Sequence, residues 1–166
     1  MTISHELCVK IDNMYHDICY NNLYTKINLQ KYQTYQIYTI GINNYYDLTG
    51  TKISADKPIS VFSGHYLAYL SSIPSSYDKI SEQLMPTNTW GKYFVTIARQ
   101  GRSVGDYFKF VAKEDNTTVT ITGTNGTIET FTLHTAGSRA QMNFGSMIHM
   151  KIVADKPIFV AQFLSS

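Results

Sequence analysis

One nonapeptide occurs twice in this chain, and it constrains the fold more than any other stretch. Residues 53–61 read I-S-A-D-K-P-I-S-V. Residues 152–160, 99 positions later, read I-V-A-D-K-P-I-F-V, with seven of nine positions identical. Proline fixes φ and has no N–H, so Pro58 and Pro157 can open a strand but not sit within a central one. Asp56 and Asp155 carry short side chains that bond nearby backbone and hold turns. Each copy therefore reads as a strand end, a tight A-D-K-P turn and a new strand. Ile59 and Val61 share one face of that strand, as do Ile158 and Val160. A repeat at this spacing predicts two related units, each about the size of a small domain.

The likeness extends upstream of the nonapeptide. C-V-K-I at 8–11 aligns with T-V-T-I at 118–121, and K-I-N-L at 26–29 aligns with T-F-T-L at 130–133. The F-x-F-V-A run at 108–112 has no counterpart ahead of the first copy, so the chain is expected to begin inside a unit. Alternating patterns predict strands over 8–11, 23–29, 32–42, 93–98, 107–112, 118–122 and 128–133. Phe108, Phe110, Val119, Ile121, Phe131 and Leu133 are the expected inward residues. Asn125-Gly126 predicts a hairpin turn. S-S-I-P-S-S at 71–76 is linker-like, and Y-D-K-I-S-E-Q-L-M at 77–85 predicts one short helix. There Ile80 and Leu84 lie at i and i+4, Ser76 can cap, and Pro86 follows the end.

The expected fold is mostly β, with antiparallel, sandwich-like repeat units and that one short helix. Propeller-like blades are the alternative, because repeated four-stranded units with a shared closing motif fit them too. The expected division is a first β unit at 1–70, N-terminally incomplete, a linker and short helix at 71–92, and a second β unit at 93–166.

Thirteen tyrosines with many Thr, Ile and Val favour strands, and a single Trp is present. Fourteen basic residues against twelve acidic give a net charge of +2, too little to argue for nucleic acid or acidic lipid as a partner. No span approaches the roughly 18 apolar residues of a membrane helix. The N-terminus M-T-I-S-H-E-L-C lacks the basic head and apolar core of a signal peptide. The chain reads either as cytosolic or as a piece of a longer secreted one. The second nonapeptide ends six residues before Ser166, which favours the piece.

Motifs for chemistry are sparse. Gly101–Gly105, G-R-S-V-G, matches the nucleophile elbow with Ser103 at its centre. That elbow runs from strand to helix, whereas 107–112 reads as another strand. Arg99 and Arg102 beside the loop glycines could grip an anion, but a solvated loop is the favoured reading. His134 and His149 fall on expected strands, and His5 and His16 match no ligand spacing. Cys8 and Cys19 are either one disulfide or two free thiols, and their spacing fits no zinc knuckle. Asn116-Thr117-Thr118 and Asn125-Gly126-Thr127 are N-glycosylation sequons at turns. Tyrosines 32, 35, 38, 45 and 46 could form a sugar- or protein-binding surface or face a neighbouring unit.

Between the two copies lie Ser63-Gly64-His65, then Glu82-Gln83-Leu84-Met85-Pro86, Trp90-Gly91 and Tyr93-Phe94. In this order, with A-D-K-P-I-x-V, they resemble the N-terminal domain of IgGFc-binding proteins, large secreted proteins associated with mucus. The resemblance covers roughly residues 49–163. Family members often carry a cysteine two residues after the S-G-H histidine and another shortly before E-Q-L. Here Leu67 and, approximately, Tyr77 stand there, as in a divergent member that has lost one bridge. The resemblance implies a non-catalytic binding or scaffolding module of a secreted or cell-surface protein. Its partners would be a protein or glycan ligand and neighbouring repeats, with no nucleic acid, membrane span, metal or cofactor. Nothing in the sequence specifies an Fc site. His65 and Glu82 are the one pair to weigh for metal or acid–base work, against a plainer role in which His65 caps a turn and Glu82 bonds backbone. The alternatives are a structural spacer repeat without ligand, and a metal-dependent or hydrolytic enzyme using His65 and Glu82.

Overall fold

The computed structural model describes residues 5–10, 24–38, 47–68, 78–98 and 105–164. They divide into two compact units, Met1–Ser60 and Val61–Ser166. The first holds β1 (His5–Lys10), β2 (Tyr24–Leu29) and β3 (Lys52–Ala55) in one antiparallel sheet of order β2-β1-β3. In the second, β4 (Phe62–Ala68) and β5 (Asp78–Gln83) form a two-stranded antiparallel ribbon. A 3₁₀ turn at Thr87–Thr89 leads into a six-stranded sheet of β6 (Gly91–Thr96), β7 (Tyr107–Ala112), β8 (Thr117–Gly123), β9 (Ile128–Leu133), β10 (Arg139–Asn143) and β11 (Met150–Phe163). Its order is β10-β7-β11-β8-β9, with β6 also paired to β11. The fold is mostly β and antiparallel, as the alternating patterns require. No helix among the described residues is long and apolar enough to cross a membrane.

The duplication read from the sequence is present in the ladders. In the first sheet Leu7 pairs with Ala55 and Ile27, and Val9 pairs with Ile53. In the second, Val119 pairs with Ala154 and Phe131, and Ile121 with Ile152. The sheet β2-β1-β3 thus recurs as β9-β8-β11 with matching partners. The alignment of 8–11 with 118–121 slips by two residues, since Leu7 and Val9 hold the places of Val119 and Ile121. A slip of two leaves each side chain on its own face, so the pattern alone cannot detect it.

The nonapeptide itself departs from expectation. In the second copy A-D-K-P makes no turn. β11 runs unbroken from Met150 to Phe163, and its register with β6 shifts between Val153 and Ile158. Before that shift β11 pairs with β8, and after it with β7. So β7 and β8 lie end to end along β11, and residues 113–116 face a crease at A-D-K-P. Hydrogen bonds hold the crease in an extended form. Asp155 Oδ1 accepts from Thr118 N–H at 2.8 Å, Pro157 O accepts from Lys113 N–H at 3.1 Å, and Lys92 Nζ donates to Asp155 O at 2.7 Å. Lys156 Nζ donates to Asp115 O across the same gap. Bulges of this kind bend a strand without ending it.

In the first copy β3 stops at Ala55, residues 56–57 bend, and 58–61 join no strand. Ile59 is 41% exposed, whereas Ile158 is fully buried. The inward face expected for Ile59 and Val61 is therefore not formed. The physical difference is β7, which pairs with Ile158–Phe163 and draws that half of β11 into the sheet.

The core lies on the inner face of the six-stranded sheet. Phe108, Phe110 and Ala112 alternate on β7, Thr117, Val119 and Ile121 on β8, and Met150, Ile152 and Ala154 on β11, all buried. Phe131 and Leu133 join them from β9. Phe110 meets Phe131 edge-on at 5.5 Å and Phe108 meets Phe144 at 5.7 Å, so the curled sheet packs its inner faces together. The β8–β9 hairpin closes through Gly123 N–H to Thr127 O at 2.9 Å, with Gly126 at φ 84°. Only the glycine of Asn125-Gly126 takes the left-handed conformation.

Three further expectations change. The helix expected over 77–85 is not formed across the described residues 78–85, because 78–83 are strand β5. A two-turn helix is too short to hold itself, and pairing with β4 satisfies the same backbone groups. Within 32–42, residues 33–38 belong to no strand, and 39–42 lie outside the described residues. The strand placed at 93–98 spans Gly91–Thr96. Asp155→Ala, which removes the acceptor for Thr118 N–H, is expected to cost about 1 kcal/mol in denaturant unfolding. Asp155→Asn keeps an oxygen there and is expected to cost less.

Candidate functional site

The ribbon β4–β5 joins two stretches that are separate in sequence. Phe62 pairs with Gln83, Ser63 with Glu82, Gly64 with Ser81 and His65 with Ile80. Opposed residues in an antiparallel ladder project to the same face. Ser63, His65, Ile80 and Glu82 therefore share one face, with His65 and Glu82 as diagonal neighbours. Ser63, His65, Glu82 and Gln83 are exposed and Ile80 is half-buried. The His65 ring stacks on Tyr66 at 5.3 Å, 15° from parallel. Phe62 and Tyr66 are 67% and 79% exposed, a large apolar area for so small an element.

Gly64 makes this ribbon close-fitting. A Cβ there would run into the Ile80 carbonyl oxygen and come within 3.1 Å of Ser81 Cα. The middle position of S-G-H is thus fixed by the approach of β5 rather than by an unusual φ.

The remaining motif residues tie the ribbon to the six-stranded sheet. Leu84 N–H donates to Val61 O at 2.8 Å, extending the ladder by one residue. Leu84, Met85 and Pro86 then lead into the 3₁₀ turn, closed by Thr89 N–H to Pro86 O at 3.0 Å. The Trp90 indole N–H reaches back to Met85 O at 3.4 Å, and its ring lies 5.6 Å from Phe159. Gly91 pairs with Ile158. E-Q-L-M-P and W-G are therefore anchored on the second nonapeptide.

The other sequence candidates do not assemble into a centre. Among the described residues no three His, Cys, Asp or Glu side chains come together at metal-binding distance. His149 Nδ1 accepts from Ala98 N–H at 3.2 Å, and His134 O accepts from Asn116 N–H at 3.1 Å. Both histidines lie just outside strands rather than on them. Cys8 lies on β1. Cys19, His16, Tyr45, Tyr46, Tyr77, Arg99, Arg102 and Ser103 lie outside the described residues. Tyr32, Tyr35 and Tyr38 are exposed. Asn116 is exposed in the crease loop at φ 51°, and the Asn125 side chain is exposed and accepts from Thr127 N–H at 3.1 Å. The exposed Phe62 and Tyr66 were not read as functional from the sequence. The signal for them was their place on either side of S-G-H.

The sequence profile of the family described as IgGFc binding protein matches residues 12–166. This chain belongs to that family. The human IgGFc-binding protein is 34% identical to it over 79 residues, which cover 46% of this chain and 1% of the human protein. No solved structure matches. Ser63-Gly64-His65 lies on one strand of the ribbon and Glu82-Gln83 on the other.

Proposed function

We propose that this chain is a non-catalytic protein-binding module of a secreted protein, and that the β4–β5 ribbon is its binding face. The observation that carries this is the pairing of the strand that holds S-G-H with the strand that holds Glu82 and Gln83, the two motifs meeting at Ser63 and Glu82, on an exposed ribbon flanked by Phe62 and Tyr66. A two-stranded ribbon is marginal alone, so a partner laid against it would supply packing that the ribbon lacks, against the cost of ordering it. His65, Ser63 and Glu82 offer donors and acceptors on one face, in keeping with recognition rather than bond-breaking.

The human relative's name makes immunoglobulin Fc the first probe. Immobilised Fc should retain the native chain, and the double substitution His65→Ala with Glu82→Ala should weaken that retention at least tenfold. Equal retention of both proteins would remove the ribbon from the binding face. No retention of the native chain would favour the spacer reading, to which the duplicated three-stranded sheet lends support.

The secreted compartment carries its own tests. Produced through a secretory pathway, the protein is expected to bear glycans at Asn116 and Asn125. Each Asn→Gln substitution should then lower the mass by one glycan, and unchanged masses would count against both sites. Thiol labelling of the unfolded, unreduced protein separates a Cys8–Cys19 bridge from two free thiols.

A further inference from the structure

We infer that β4 is a strand acceptor. Its open edge takes up, antiparallel, an extended strand with aromatic residues at alternate positions, donated by another unit of the same kind. This rests on the reading of the ribbon as the binding element and specifies the partner.

The argument comes from the duplication. At the offset of the repeat, Val61, Phe62, Ser63 and Gly64 stand where Val160, Ala161, Gln162 and Phe163 stand in β11. In β11 those residues pair with β7. Lys113 N–H donates to Pro157 O, so on alternation Phe159, Ala161 and Phe163 turn their backbone groups toward β7. In β4, Leu84 N–H donates to Val61 O, so Val61, Ser63 and His65 turn theirs toward β5. Phe62 and Gly64, the counterparts of Ala161 and Phe163, then turn theirs to the opposite edge. β5 therefore does not occupy the place of β7. Among the described residues β4 pairs with β5 alone. Among the described residues, the edge filled by Y-F-K-F-V-A in one copy is open in the other.

Two features fit an edge used for pairing. Natural edges are blunted by charge, proline or a bulge. Phe62, Ser63 and Gly64 carry no charge and no proline, and the register irregularity lies beyond them, between His65 and Ala68. The occupant's chemistry is set by what fills the equivalent place: Phe108 and Phe110 on one face of β7, and Tyr107 and Lys109 on the other. Main-chain bonds would supply attachment, and the aromatic alternation would supply selectivity.

The probe is a synthetic peptide with the sequence of residues 105–113, G-D-Y-F-K-F-V-A-K, beside a control with serine at both phenylalanine positions. Added to the intact chain, the peptide should slow hydrogen exchange at the Phe62 and Gly64 amides at least tenfold. The Ser63 and His65 amides, already directed to β5, should change little. Phe62→Pro removes an N–H from the open edge, where proline is tolerated, and should weaken peptide binding at least tenfold. Peptide binding that Phe62→Pro leaves unchanged, no protection in β4, or no binding at all would overturn strand addition. Any of these with Fc retention still dependent on His65 and Glu82 would leave the binding face intact. Protection of the same amides on concentrating the protein alone would support strand donation, with a second copy of this chain as the donating unit.

Discussion

Gly64→Ala is expected to part the β4–β5 ribbon and abolish ligand capture while the six-stranded sheet stays folded. The added methyl would collide with the Ile80 carbonyl, which is backbone and cannot swing aside as a side-chain tip would. Relief requires β5 to move away from β4, which breaks the pairs Ser63↔Glu82 and His65↔Ile80. Overpacking of this kind costs about 1–3 kcal/mol, comparable to what a two-stranded ribbon can hold. Amide exchange should show protection lost across 62–65 and 80–83, with the β7, β8 and β11 amides unchanged. Unaltered ribbon amides, or capture that survives, would mean that β5 can yield and that the glycine is not what sets the spacing.

Phe110→Ala should have the largest effect on stability, about 3–5 kcal/mol by denaturant unfolding. Phe110 has no exposed surface and meets Phe131 of β9 and Phe108 of its own strand. Because β7 and β9 are not paired neighbours, the Phe110–Phe131 contact joins opposite parts of the curled inner face. Its loss leaves a cavity that the flanking strands, fixed by their ladders, cannot close. Phe131→Ala should cost less, since Phe131 is only half-buried. The double variant should fall short of the sum by about 0.5–1.5 kcal/mol, the usual size of an aromatic pair term. Strict additivity would show that the two rings do not act as a pair.

Both predictions depend on which strands meet, and here the sequence was unevenly informative. Alternation placed Phe108, Phe110, Val119, Ile121, Phe131 and Leu133 on inner faces because each strand carries its own period-two record of burial. The same logic could not separate a strand from a short helix at 77–85. Five of those nine residues are polar or charged, and Ile80 with Leu84 fits one turn spacing as well as one strand face. The ladder with β4 settled it, and β4 is not local to that stretch. The S-G-H and E-Q-L motifs could likewise be quoted from the sequence, but not their pairing.

The sequence alone determined that this chain is β-rich, that it carries a duplicated module, and to which family it belongs. Those properties are written in short runs, where side-chain type and spacing act directly on the neighbouring backbone. Tertiary structure alone decided what A-D-K-P does. Nearly identical residues end a strand in one copy and continue it through a crease in the other. The difference is β7, which shares backbone hydrogen bonds with the second copy and has no counterpart at the first among the described residues, and a nonapeptide cannot encode its own partner.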